Sequence, residues 1–156
     1  MERTASKMNT QDVANSLNAL CKLEAAAAAM SPTGWAGLAE AAERTASEMN
    51  PQNVANTLNA LTKLEAVAAA VSTTGWVRLT EAAERTASEM NEQNVSNTLD
   101  ALGALPAAAA ELSPSAREQL EAAAEREAPN MTSERRKITW RGCAKLNLKI
   151  PSALSE

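Results

Sequence analysis

The sequence predicts an all-α fold, a right-handed α-solenoid of about three and a half 41-residue repeats. The first observation behind this prediction is self-similarity: residues 2–42, 43–83 and 84–124 all begin with Glu-Arg-Thr-Ala-Ser and align without gaps. Tandem repeats of this length are typical of stacked helices. The second is composition. The chain has no Phe or Tyr, so its core must come from many small side chains on closely packed helices.

We expect one domain over residues 1–156, because stacked repeats share a continuous core. The 41-residue offset continues weakly beyond the third repeat, where Met131 falls on the position of Met90. Residues 125–156 are therefore interpreted as a degenerate half-repeat, with a disordered or out-of-frame C-terminal tail as the alternative. The chain begins at a repeat boundary and ends inside a weakened unit, which suggests a piece of a longer array.

The first helix of each repeat, helix B, is predicted to start at an asparagine. In the second repeat Asn50 precedes Pro51, a combination typical of a helix N-cap and first turn. The apolar residues that follow recur at helical spacing and predict one buried face. They are Val54, Leu58, Leu61 and Leu64.

The second helix, helix A, is predicted to start at the breaks Ser31-Pro32, Ser72-Thr73 and Ser113-Pro114. The helix A that begins in the second repeat has the apolar stripe Trp76, Leu79, Ala83, Ala87 and Met90, which continues into the third repeat. The pairs Glu40 with Arg44 and Glu81 with Arg85 have the spacing of weak ion pairs on one helix. That spacing indicates an exposed face.

Pro106 lies within the segment predicted for helix B of the third repeat. A proline inside a helix removes a hydrogen bond and clashes with the preceding turn, so the helix must stop or kink there. A unit of two helices would be HEAT-like, and one of three pieces would be armadillo-like. The sequence leaves both open.

Composition and charge exclude several functional classes. The absence of His excludes Ser-His and Cys-His nucleophiles and the usual zinc sites, so we expect no enzyme, metal or cofactor. Residues 1–128 carry nine Lys/Arg and seventeen Asp/Glu, a net charge of −8, against +4 for residues 129–156. An acidic body repels phosphates, so we expect no nucleic-acid partner. No apolar stretch is long enough to predict a membrane span or a signal peptide.

The candidate binding surface is a polar stripe along helix B, which stacking would turn into ladders on a concave face. We predict that Asn18, Lys22, Asn59, Lys63 and Asp100 contact a partner, because they lie towards the polar side of the helix. Their neighbours Asn15, Asn56 and Asn97 border the apolar stripe, so we interpret them as structural residues that join adjacent repeats.

The tryptophans are predicted to be structural. Trp35 and Trp76 occupy equivalent positions at the start of helix A, where we expect them to pack between repeats. Trp140 falls on the core position of Leu58, and Cys143 on that of Leu61. Both are therefore predicted to be buried.

The segments MNPQNVANTLNALTKLE and MNEQNVSNTLDALGALP resemble the repeats of the Skwp family of type III effectors from plant-pathogenic bacteria, which includes the related XopAD effectors. At the place of the family's SKWP signature stand Cys21-Lys22-Leu23-Glu24, Thr62-Lys63-Leu64-Glu65 and Gly103-Ala104-Leu105-Pro106. The lysine recurs twice and the proline once, whereas the tryptophan is absent. The resemblance implies HEAT/armadillo-like repeats, secretion, and delivery into the host cell cytoplasm to serve virulence.

The function predicted from these observations is a protein-interaction scaffold that binds one or more host proteins. The alternative is RNA binding, since Val-Ala-Asn-Thr-Leu at 54–58 also resembles octotricopeptide-type repeats. Self-association through the exposed ends of the stack is a further expectation.

Overall fold

A computed structural model describes residues 2–155 of the chain, which are all-helical and contain no strand in that range. Eleven α-helices follow one another along these residues: α1 (Glu2–Ala5), α2 (Thr10–Lys22), α3 (Glu24–Ala28), α4 (Pro32–Thr45), α5 (Pro51–Lys63), α6 (Glu65–Ala70), α7 (Thr73–Thr86), α8 (Glu92–Ala104), α9 (Pro106–Ala110), α10 (Pro114–Glu127) and α11 (Ser133–Lys145). Short 3-10 helices lie at Ala46–Glu48, Ala87–Glu89, Ala128–Asn130 and Ser152–Leu154. The all-α prediction is confirmed.

The predicted helix starts are confirmed by their caps. Asn9, Asn50 and Asn91 precede α2, α5 and α8, and each accepts a hydrogen bond from the backbone N–H three residues later. A side chain at that third residue returns a bond to the N-cap backbone, which completes a capping box. Ser31 and Ser72 cap α4 and α7 with the side-chain oxygen alone, which accepts from the backbone N–H three residues later.

Each full repeat contains three helical pieces, because helix B ends before a short Ala-rich helix. The break falls at the equivalent residues Leu23, Leu64 and Leu105, and at Leu64 the backbone has φ −113° and ψ 78°. Pro106 therefore occupies the first turn of α9, where a proline is tolerated. The same break occurs in the two repeats that carry Glu at this place, so the proline is not its cause.

Equivalent helices of successive repeats pack side by side. Helix α5 packs against both α2 and α8, and α8 packs against α11, while α7 contacts α4 and α10. The predicted apolar stripes, such as Val54, Leu58 and Leu61 on α5, are buried between these helices. Helices α8 and α11 approach closely at Gly142, where a Cβ would lie 2.6 Å from the carbonyl oxygen of Leu99.

A recurrent arginine joins each repeat to the one before it. Arg85 Nη2 donates to the backbone carbonyls of Ala46 at 3.2 Å and Met49 at 2.7 Å, around the 3-10 turn that follows α4. Arg44 makes the equivalent pair of bonds to Ala5 and Met8, and Arg126 makes them to Ala87 and Met90. A cation is favourable there because the carbonyls at the end of a helix carry partial negative charge.

These contacts correct the predicted role of the arginines as partners in weak surface ion pairs. The ion pairs within the described part of the chain are Arg126–Glu127, Arg135–Glu92 and Arg141–Asp100. Neither Glu40–Arg44 nor Glu81–Arg85 is among them. The guanidinium of each arginine instead donates hydrogen bonds to two backbone carbonyls of the preceding repeat.

The fourth unit continues the stack, since α11 packs on α8 as α8 packs on α5. After α11, Asn147 adopts φ 54°, which turns the chain back. Leu148, Pro151 and Leu154 are then buried, and Arg117 Nη1 donates to the Leu146 carbonyl at 2.6 Å. Whether residues 125–156 are a degenerate half-repeat or a C-terminal tail outside the repeat frame stays a prediction.

We expect Arg85→Ala to lower the free energy of unfolding by about 1–2 kcal/mol, because two charge-assisted hydrogen bonds between repeats are lost. Urea denaturation followed by circular dichroism measures this change. The matched control is Arg78→Ala on the same helix, since Arg78 is exposed and hydrogen-bonds to no described residue. Equal effects of the two substitutions would contradict a special role for Arg85.

Candidate functional site

The residues predicted to contact a partner lie on the outward surface of the helix B layer. Asn18, Lys22 and Lys63 are exposed, while Asn59 and Asp100 are half-buried. Asp100 accepts hydrogen bonds from Arg141 Nε at 3.0 Å and Nη2 at 2.9 Å. Arg141 is the counterpart of Asp100 in the next repeat. The side chains at this position of adjacent B helices are therefore close enough to hydrogen-bond to each other. The pair is partly solvated and contributes little to stability.

A pocket lined by amide side chains lies where α5 meets α8. We call it the amide-lined pocket, and its volume is about 190 Å³. It is lined by Gln52, Asn56, Asn91, Gln93, Asn94 and Asn97. This volume is below the range typical of pockets for drug-sized ligands. It has room for a short stretch of an extended chain.

Several of these amides have no hydrogen-bond partner among residues 2–155. The side chains of Gln52, Asn56, Gln93 and Asn97 hydrogen-bond to no residue that the structure describes. Asn91 and Asn94 use their Oδ1 atoms in the capping box of α8, which leaves their NH₂ groups as donors. An unpaired amide offers both a donor and an acceptor, so this pocket can bind a polar, uncharged group.

At the equivalent junction between α2 and α5, three of the amides are hydrogen-bonded to one another, whereas Gln52 and Asn56 bond to no described residue there either. Gln11 Nε2 donates to Asn15 Oδ1 at 3.0 Å, and Gln11 Oε1 accepts from Asn53 Nδ2 at 3.3 Å. Gln52 is the counterpart of Gln11 one repeat later, and its amide makes neither bond. The two junctions therefore differ in whether the Gln at this position of the earlier helix is hydrogen-bonded.

The structural role predicted for Asn15, Asn56 and Asn97 stays a prediction. Asn15 is exposed and bonds to Gln11 on its own helix, whereas Asn56 and Asn97 are half-buried in the amide-lined pocket. Asn91 and Asn94 were not predicted as site residues from the sequence. The signal that could have found them was their position at the start of α8, next to the stripe of α5.

The tryptophans occupy three different environments. Trp76 is buried and Trp35 is half-buried against the core. Trp140, by contrast, is 46% exposed, so its predicted burial is wrong. The equivalent residues Leu58 and Leu99 are covered by the next helix of the stack, and no such helix covers α11 in the described residues.

Two glutamates of helix A bind the start of the next A helix. Glu43 Oε1 accepts from the backbone N–H of Ser72 at 2.7 Å, at the N-terminus of α7, where negative charge is favourable. A Cβ at Gly75 would overlap the Glu43 side chain. The third repeat has Ala116 at this position, and there Glu84 accepts from the Ser115 hydroxyl instead. These carboxylates are thereby engaged in joining repeats.

Both cysteines are free thiols. Cys143 is fully buried, as predicted, and burial, reinforced by the nearby Glu121, raises the pKa of its thiol to about 11. Cys21 is half-buried with Sγ 3.7 Å from the Ala60 carbonyl. Burial raises the pKa of Cys21 as well, opposed by the charge of Lys63.

No helix in residues 2–155 is both long and apolar enough to cross a membrane. Within the same residues, no group of three or more Cys, Asp or Glu side chains is arranged to hold a metal ion.

A family model described as "Protein of unknown function (DUF1601)" matches residues 2–17, 38–58 and 77–99 of the chain. The three matched stretches end at the equivalent residues Leu17, Leu58 and Leu99. Each longer stretch covers the end of an A helix, the 3-10 turn and the first part of the following B helix. Together they cover less than half of the chain. No curated protein matches it.

We expect the Cys143 thiol to resist alkylation in the folded protein, because it is buried and protonated up to a pH of about 11. Its folded pKa lies above the ordinary value of 9.0, so its contribution to stability is complete below pH 9 and is lost as the pH rises towards 11. Comparing the pH dependence of unfolding for the wild type and Cys143→Ala isolates this contribution. Rapid native labelling of Cys143, with Cys21 replaced by Ala, would contradict the assignment.

Proposed function

We propose that the chain is a right-handed α-solenoid which acts as a protein-interaction scaffold, with the helix B layer as its concave binding surface. The packing of α2, α5, α8 and α11, each against its neighbours in the series, supports a solenoid. The three matches to one family model at equivalent positions support the repeat frame. The proposed activity is binding, without catalysis.

The observation that carries the proposal is the amide-lined pocket. An extended peptide presents alternating N–H and C=O groups, and a side-chain amide pairs with both. Four of the pocket's six amides have no protein partner among the described residues, so a peptide would bond to groups that are otherwise solvated. The proposed ligand is a short extended segment of a partner protein, lying across the junction of α5 and α8.

Charge favours a peptide over RNA in this pocket. No Lys or Arg lines it, and residues 1–128 have a net charge of −8. A phosphate backbone would meet no neutralising cation there. The outer residues Asn18, Asn59, Lys22, Lys63 and Asp100 extend the surface along the same layer, and we propose that they contact flanking parts of the partner.

The resemblance to Skwp effectors extends the proposal to the biological setting. On that basis the partner is a host protein, and the chain acts in the host cytoplasm after delivery from a bacterium. This part of the proposal depends on the sequence segments quoted above and is separate from the chemistry of the pocket.

The proposal is tested by selecting binders from a random peptide library displayed on phage, with the whole chain immobilised. The affinity of a labelled selected peptide is then measured by fluorescence anisotropy. We expect Asn97→Ala and Gln93→Ala each to weaken binding about tenfold, the effect of losing one hydrogen bond of about 1.4 kcal/mol. Neither side chain hydrogen-bonds to a residue that the structure describes, so neither substitution is expected to disturb the fold.

Gln119→Ala is the matched control, because it removes an exposed amide from α10 at a distance from the pocket. It is expected to leave the affinity unchanged. Selection of no binder, or of binders insensitive to Asn97 and Gln93, would contradict the proposal. Binding of single-stranded RNA at low salt would instead support the octotricopeptide-like alternative.

A further inference from the structure

A charged pocket lies between α4 and α7, and none of its residues belongs to a B helix. We call it the arginine-lined pocket. It is lined by Glu43, Arg44, Ser47, Arg78, Glu81 and Arg85. Its volume of about 330 Å³ falls within the range of about 300–1,000 Å³ that is typical of small-molecule sites. The pocket has room for a small polar ligand.

The pocket offers hydrogen-bond donors that the described residues leave unused. Arg85 binds the carbonyls of Ala46 and Met49 through its Nη2 atom, so its Nε and Nη1 donors stay available to a ligand. Arg78 and the Ser47 hydroxyl hydrogen-bond to no residue within 2–155, and both residues are exposed. A ligand with several acceptor oxygens would satisfy all three side chains.

Arg85 is held beside the serine that lines the pocket. The two carbonyls that it binds belong to Ala46 and Met49, which flank Ser47 in the chain. The same bonds fix the guanidinium against the 3-10 turn that carries the hydroxyl. A side chain that is fixed before binding loses less conformational entropy when a ligand arrives, so this part of the pocket is preorganised.

The charges that line the pocket favour an anion. They belong to three arginines and two glutamates, although residues 1–128 as a whole carry a net charge of −8. Glu43 is already engaged, because its Oε1 atom accepts from the Ser72 N–H at 2.7 Å. None of the three arginines forms an ion pair in the part of the chain that the structure describes. The second carboxylate, Glu81, therefore leaves an excess of positive charge.

One of these cations is specific to the second repeat. Gly37 and Gln119 occupy the position of Arg78 in the first and third repeats. The stack is joined at the equivalent position without a cation there, and Arg78 itself bonds to no described residue. Its guanidinium therefore adds charge to the pocket that the packing of repeats does not require.

We propose that the arginine-lined pocket binds a phosphate monoester. Such a group carries a charge of about −1.5 to −2 at pH 7 and three acceptor oxygens, which suits a pocket with several guanidiniums. The planar donors of Arg78 and Arg85 can each contact two phosphate oxygens. The Ser47 hydroxyl supplies a further donor.

Two sources can supply the phosphate monoester. One is a phosphorylated ligand, and the other is Ser47 itself, whose exposed hydroxyl lines the pocket. In the second case a protein kinase transfers the γ-phosphoryl group of a nucleoside triphosphate to Oγ. The Oγ–P bond forms, the bond to the nucleoside diphosphate breaks, and the hydroxyl proton is released. The phosphate then lies beside the arginines without a separate ligand.

The first experiment supplies the group in solution. N-acetyl-O-phosphoserine amide is titrated into the whole chain by calorimetry at fixed low ionic strength, with N-acetylserine amide as the uncharged comparison. We expect the phosphorylated probe alone to bind. Arg78→Gln, which introduces the residue of the third repeat, should weaken binding by about tenfold or more, because hydrogen bonds to a charged group are lost.

Two further variants separate this site from general attraction of anions. Glu81→Gln removes a carboxylate from the pocket and is expected to strengthen binding of the phosphorylated probe, because like charges repel. Lys137→Gln removes one positive charge from α11, which does not line the pocket, and is expected to leave the affinity unchanged. Binding that responds equally to Arg78→Gln and Lys137→Gln would overturn the proposal.

The second experiment installs the group in the chain, with phosphoserine in place of Ser47 introduced by genetic code expansion. The phosphate is expected to raise the Tm of the chain, and to raise it less when Arg78→Gln is also present. Stabilisation without binding of the free probe would identify Ser47 as the source, and binding without stabilisation would identify a separate ligand. If the probe does not bind and the phosphate does not raise the Tm, the proposal is overturned.

Discussion

The stack depends on one recurrent interaction, a guanidinium at the end of each A helix that reaches the 3-10 turn of the preceding repeat. Arg85 places one nitrogen 2.7 Å from the Met49 carbonyl and 3.2 Å from that of Ala46. At this turn the backbone leaves helical geometry, and the last carbonyls of a helix have no intrahelical partner for all their lone pairs. The Ala46 carbonyl accepts from the Met49 N–H as well as from Arg85. The same side chain thus satisfies the end of one repeat and fixes the position of the next.

The outermost units of the described residues differ in the side chains that they expose. The fourth unit substitutes Arg136 and Lys137 at positions that are apolar or small in the interior. The first unit keeps Leu23 exposed on its opposite side. Between the ends, the Gln position of helix B is the same in all three repeats. Gln52 nevertheless bonds to no described residue, whereas its counterpart Gln11 is bonded to Asn15 and Asn53.

Much of this architecture could be predicted from the sequence because it depends on local features. The Asn and Ser caps, and the apolar stripe of Val54, Leu58 and Leu61, require only neighbours within one helix. Arg85 was missed because its spacing from Glu81 also fits a local ion pair, and only the tertiary structure brings Ala46 within reach. Trp140 was misassigned because alignment of repeats assumes the same neighbours at every position, which fails at the end of a stack. The pocket depends on side-chain conformations at one junction.

The central claim is that each repeat is held by its neighbours through the same contacts at every junction. Deleting residues 43–83 tests it most directly, because Glu84 then follows Ala42 in register and Arg85 takes the place of Arg44 beside Ala5 and Met8. Urea denaturation followed by circular dichroism should show a helical protein that unfolds cooperatively, with a lower m-value and a lower midpoint than the full chain. Loss of cooperative unfolding would contradict the account, since it would mean that the repeats are not interchangeable.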